Sequence, residues 1–135
     1  AIDALVAKWC KTGMARGLSK EIVSSNEKRY FISQLPTNLK AADMAVLDAE
    51  FNFTESHNTD VQLAWYTLAI RHHYNQANNN IKAYLLENGR MWHIIPLYKE
   101  LMITPEGAKI ARAIYKEARP NYHPMTYQAI DKLLK

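Results

Sequence analysis

The sequence predicts an all-α fold, a two-layered stack of antiparallel helical hairpins with about seven helices, and three observations carry that expectation. Apolar residues recur at three- and four-residue spacing within segments of ordinary helix length, and no stretch alternates with period two for long. The 4 Gly and 5 Pro are few, and the turn signals fall between those segments. Turns this short make consecutive helices antiparallel neighbours. No fixed-period self-similarity is visible, so the expected stack is an irregular HEAT/armadillo-like α-α superhelix and not a consensus repeat.

Ile2, Leu5, Val6 and Trp9 share one face of a first helix that stops at Lys11-Thr12-Gly13, where glycine takes a left-handed cap. Residues 13 to 23 read as a connector. Ser24 or Ser25 caps a short helix carrying Tyr30, Phe31 and Ile32, which ends before Leu35-Pro36 because proline disfavours helix in the residue before it. Thr37 or Asn38 is expected to open the next helix, with Leu39, Met44, Leu47 and Phe51 inward and a turn over Asn52 to Ser56. Asn58 caps a helix bearing Val61, Leu63, Trp65, Leu68 and Ala69, and the polar segment Tyr74 to Asn80 contains a turn.

Ile81, Tyr84 and Leu85 build a further helix, terminated by Asn88-Gly89. Met91 to Met102 follows, with Pro96 in its first turns, where a missing amide donor costs least. Thr104-Pro105-Glu106 is the clearest start signal, joining a hydroxyl cap, a proline at the first helical position and an acid in the positive first turn. That helix runs through Ile110, Ala113 and Ile114 to about Arg119 and stops at Pro120. Pro124 opens the last, with Tyr127, Ile130, Leu133 and Leu134.

With 48% apolar and 22% charged residues the chain reads as one helical domain over residues 1–135, and disorder is excluded. A net charge of +4 invites a nucleic-acid reading, but the basic residues are scattered and accompanied by acids, as in Asn26-Glu27-Lys28-Arg29, so no nucleic-acid partner is expected. No membrane span or signal-peptide pattern is present. The lone Cys10 fits a reducing, cytoplasmic compartment, with bacterial export as the alternative. The first residue is Ala1 and not Met, which suggests processing or a piece of something longer.

The inventory of reactive groups is thin. There is no H-E-x-x-H, which would set two imidazoles and a base on one helical face, and no G-x-S-x-G or phosphate loop, so no catalytic residue and no metal ligand is assigned. Cys10 follows Trp9 on an apolar face and reads as a core or half-buried thiol. No two of His57, His72, His73, His93 and His123 stand at the spacing that aligns them on a helix; His72-His73 reads as a solvated helix C-terminal turn and His123 as a packing or capping residue. Trp65-Tyr66 and Trp92 read as core anchors, although Trp92, just past a helix break, could also line a cleft. Arg90 stands between the Asn88-Gly89 stop and the next helix, where its planar fork can take a carboxylate in bidentate fashion. Equally, it can cap orphan carbonyls or pair with a neighbouring acid.

The run Leu47-Asp48-Ala49-Glu50-Phe51-Asn52-Phe53-Thr54-Glu55-Ser56, followed by Asn58, Trp65, Gly89-Arg90-Met91, Pro96-Leu97-Tyr98-Lys99 and Tyr122-His123-Pro124-Met125-Thr126, resembles the C-terminal helical domain of the leukotriene A4 hydrolase group of M1 zinc aminopeptidases. The likeness is strongest from about residue 37 to 128 and vague before residue 24. It implies a substrate-cleft domain that works joined in cis to a catalytic domain, with zinc held in that missing domain and no cofactor in this chain. It further implies that Arg90 holds the C-terminal carboxylate of a short peptide. The family's Gly-Arg-Met-Lys segment has a lysine where this sequence has Trp92, which removes one cation from the anion site. At about 1.5–3 kcal/mol for a charged hydrogen bond, that weakens carboxylate selection by one to two orders of magnitude, so peptide cleavage by the parent is expected and leukotriene epoxide hydrolysis is not. Arg90 and Trp92 are the expected substrate-binding residues. The competing expectation is a free-standing helical adaptor that binds a partner protein.

Overall fold

The computed structural model describes residues 2–134, which form nine α-helices and three short 3-10 turns with no strand among them. The all-α expectation therefore holds. Contacts divide the chain into two compact units, one ending at Asn75 and the other beginning at Gln76.

In the first unit, α1 (Ile2–Thr12) buries Val6 and Trp9 and packs on α3 (Ser25–Ser33). It stops where expected: Gly13 has φ 69° and its amide donates to the Trp9 carbonyl at 2.7 Å. Cys10 corrects the sequence reading, because it is exposed. One residue beyond Trp9 it is turned about 100° away from the buried stripe, too far round to follow it inward. The segment read as a connector contains a single helical turn, α2 (Leu18–Glu21). No side chain of its own caps it; the Glu50 carboxylate receives the Gly17 amide (3.1 Å), the Ser19 amide (3.0 Å) and the Ser19 hydroxyl (2.5 Å). These donors, the hydroxyl foremost, hold the Glu50 carboxyl below its ordinary pKa.

The α3 start is a reciprocal capping box, Ser24 Oγ taking the Glu27 amide and Glu27 taking the Ser24 amide, each at 3.1 Å. The next helix, α4 (Ala41–Phe51), begins later than Thr37 or Asn38. Residues 36 to 39 instead close a turn, with Leu39 N–H on the Pro36 carbonyl, and the first carboxylate able to receive an early amide is Asp43, which takes that of Lys40 at 3.1 Å. Left-handed Asn52 (φ 57°) ends α4 and leads into the 3-10 turn Phe53–Glu55. Asn58 then caps α5 (Thr59–Arg71) through both the Asp60 and Val61 amides, as its position predicted. Phe31, Phe51, Phe53, Trp65 and Tyr74 touch ring to ring in series. One polar centre lies among them. Buried Thr54 gives its amide and hydroxyl to the Asp48 carboxylate (3.0 and 2.6 Å), receives Trp65 Nε1 on the hydroxyl (3.0 Å) and receives the Tyr66 hydroxyl on its carbonyl (2.8 Å).

The second unit comprises α6 (Asn78–Glu87), α7 (Met91–Leu101), α8 (Pro105–Ala118), the 3-10 turn Arg119–Asn121 and α9 (Pro124–Leu133). Helix α8 packs on α6 and α7, and α9 packs on α7. Tyr122 donates to the Leu85 carbonyl at 2.6 Å, which commits its one proton, so Tyr98 is the donor in the 2.9 Å Tyr98–Tyr122 pair. Burial raises both hydroxyls' pKa values. Thr104 caps α8 by taking the Gly107 amide at 3.0 Å, and Pro124 is preceded by His123, whose Nδ1 takes the Met125 amide at 3.2 Å. Asp131 ties α9 back to the end of α8: Arg119 grips it with Nε (3.1 Å) and Nη2 (2.8 Å) while lying 4.1 Å over the Tyr127 ring, and the Tyr115 hydroxyl adds a bond of 2.5 Å.

Two outcomes follow from these contacts. A Cβ on Gly107 would overlap the Leu101 backbone carbonyl, so Gly107→Ala lowers stability by about 1–3 kcal/mol in thermal or urea unfolding, against the usual helix preference for alanine. The Arg119 bonds, with Tyr115 second, lower the Asp131 pKa from 3.8 to about 2. A carboxyl with a depressed folded pKa stabilises the fold above its unfolded pKa and loses that contribution as pH falls through the folded one. The stability gap between wild type and Asp131→Asn is therefore full above pH 3.8 and closes toward pH 2, read by thermal melts across that range.

Candidate functional site

The residues singled out for substrate binding stand at the junction of α6 and α7 within the second unit. Helix α6 ends because Asn88 leaves helical geometry (φ −95°, ψ 119°) while its amide still reaches the Tyr84 carbonyl. Its side chain then organises the next turn. The Asn88 carbonyl oxygen takes the Arg90 amide at 2.9 Å, and Nδ2 lies 3.4 Å from His93 Nδ1. Arg90 is thereby held extended (φ −78°, ψ 117°) as the residue that opens α7, its own carbonyl receiving the His93 and Ile94 amides at 3.0 and 3.1 Å.

Arginine has no acceptor, so it cannot cap the helix it opens, and α7 has no side-chain cap. The Met91 and Trp92 amides belong to the orphan donors of a first turn. The Arg90 side chain is exposed and has no hydrogen bond or ion pair among the described residues. Among the described residues it neither caps a carbonyl nor pairs with an acid. Guanidinium and first-turn amides both bring positive charge to this helix start, the complement of a carboxylate.

Trp92 corrects the core-anchor reading. It is 82% exposed, whereas Trp65 and Tyr66 are buried as expected. The buried stripe of α7 is Ile94, Leu97, Tyr98 and Leu101, and at 100° per residue Trp92 falls on the opposite face. Arg90 and Trp92 thus share one turn and both project into solvent, their Cα atoms no more than about 7 Å apart by chain geometry. Pro96 lies deeper in α7 than its first turn, leaving the Trp92 carbonyl without the amide that an ordinary residue at 96 would supply. The remaining histidines behave modestly: His72 and His73 end α5, His73 in a left-handed conformation (φ 59°). Among the described residues no cluster of His, Cys, Asp and Glu is placed to hold a metal ion, and no helix is long and apolar enough to cross a membrane.

The family model for leukotriene A4 hydrolase, C-terminal, matches residues 23–134. The chain belongs to that family. The match begins one residue before the Ser24 cap of α3, leaves out α1 and α2, and includes both Arg90 and Trp92. In this leukotriene A4 hydrolase C-terminal domain, the run from Leu47 to Ser56 that carried the resemblance is a structural hub, for it contains Asp48, Glu50 and Thr54 with the bonds described above.

Sequence reasoning missed Asn88 as a positioning residue. The signal was present, since Asn two residues before a helix start commonly turns its oxygen onto that backbone amide. Replacing Asn88 with alanine removes both side-chain contacts of the junction and is expected to cost on the order of 1 kcal/mol in chemical unfolding, with faster amide exchange at Arg90.

Proposed function

We propose that this chain is the substrate-cleft domain of an M1-type zinc aminopeptidase acting on short peptides, and that Arg90 holds the C-terminal carboxylate of the peptide. The observation that carries the reading is an exposed, unpartnered arginine opening an uncapped helix, in a chain that belongs to the leukotriene A4 hydrolase C-terminal family. Its task is orientation. Anchoring the far end of a short peptide fixes how much of it extends toward the reacting bond, which turns binding energy into rate without any proton transfer at Arg90. In this reading zinc and the general base come from a catalytic domain joined in cis, as membership of the leukotriene A4 hydrolase C-terminal family suggests. A hydrolase identity is thus a property of the joined protein.

The experiment uses the full-length enzyme and tripeptides with a free or an amidated C-terminus. Arg90→Ala is expected to lower kcat/KM on the free acids by about ten- to hundredfold, the worth of one charged hydrogen bond, and to leave the amides nearly unchanged. Equal losses on acid and amide would remove the carboxylate role. A reading frame without H-E-x-x-H upstream of Ala1 would instead leave the chain as a helical adaptor.

A further inference from the structure

Trp92 presents a tryptophan ring to solvent at 82% exposure, in a unit where Tyr84, Tyr98, Tyr115 and Tyr122 are buried and Tyr127 is half-buried beneath Arg119. A tryptophan has on the order of 200 Å² to remove from water, and leaving it outside forgoes the hydrophobic gain of covering it. Its placement is fixed by the fold. The α7 core stripe and the Asn88 turn set the first turn of the helix, so Trp92 is held on the exposed side of that turn, two residues from Arg90. Three and four residues on, Ile95 and Pro96 are its helical neighbours and are half-buried, which extends the apolar surface along the helix.

We infer that Trp92 selects the C-terminal side chain of the peptide, favouring aromatic and large aliphatic residues over acidic or small ones. The inference rests on the proposed carboxylate role of Arg90. If a guanidinium holds the terminal carboxylate, the nearest substrate side chain is that of the terminal residue itself, one Cα away from the anchored group. A ring carried two residues along the chain from the anchor, and exposed as the anchor is, is then a surface this side chain can meet. Apolar side chains gain by covering the indole, whereas an acidic one gives up hydration against it and competes with the terminal carboxylate for Arg90 and the first-turn amides. Arg90 in this arrangement reads the presence of a C-terminus, and Trp92 reads which residue occupies it.

The full-length enzyme is assayed on tripeptides that differ only at the last position, Phe, Leu, Ala or Glu, each as acid and amide. The expected Phe-over-Glu ratio in kcat/KM is about tenfold or more for the wild type, as one apolar contact allows, and falls to within about threefold in Trp92→Ala. Trp92→Phe retains the ratio. Because the ring is exposed, neither substitution removes a core contact, and thermal melts establish that both variants are folded. An unchanged ratio in Trp92→Ala overturns the inference. So does an equal loss on all four peptides, which would mean that the ring packs against the preceding domain. The acid-to-amide ratio in the same data reports on Arg90 alone: if it is near one while the Phe-over-Glu ratio responds to Trp92, the carboxylate anchor fails and the apolar contact stands.

Discussion

The hydrogen bond from the Tyr122 hydroxyl to the Leu85 carbonyl is the constraint on which the junction of α6 and α7 depends. Leu85 lies in the last turns of α6, where carbonyls run out of helical amides, and burial makes an unmet acceptor expensive. Tyr122 supplies the missing donor from beyond α8, and Tyr98 supplies Tyr122 in turn from α7. One chain of hydroxyls thus fastens the helix before the junction and the helix after it. The segment from Asn88 to Arg90 is consequently suspended between fixed ends, and Asn88 needs only local bonds to set the direction of Arg90.

The first unit solves the same problem with a different residue. Its core is a run of touching aromatic rings, and Trp65 and Tyr66 each bring a polar atom into it. Thr54 receives both, and Asp48 receives Thr54 together with the Tyr74 hydroxyl at 2.7 Å. The carboxylate ends up at the centre of several donors, which is the condition under which a part-buried charge is tolerated. Desolvation, reinforced by the bond to Asp48, keeps Tyr74 protonated well beyond the ordinary tyrosine range.

What could be read from the sequence was local. Ser24, Asn58, Thr104 and His123 each cap a helix from within a few residues, so spacing alone finds them. The placing of Arg90 between a helix stop and a helix start was legible for the same reason. What escaped depends on distant partners. The α2 turn exists because Glu50, more than thirty residues on, receives its amides, and no signal near residue 18 announces that. Trp92 was misjudged because hydrophobicity sets a preference for burial while helical phase sets the direction, and phase is fixed only once the buried stripe of α7 is known. Cys10 failed by the same margin of a single residue around a helix.

A helix that begins on arginine is unfinished by its own sequence. Helices α3, α5, α8 and α9 each open on a side chain that accepts a first-turn amide; α7, like α6, does not, and any acceptor for its first amides must arrive from elsewhere. An anion seated there would complete the hydrogen bonding of the first turn as well as neutralise Arg90, so part of its binding free energy would be spent as helix order. By mass action the same anion would then suppress fraying of α7, and ligand occupancy and local folding become a single equilibrium.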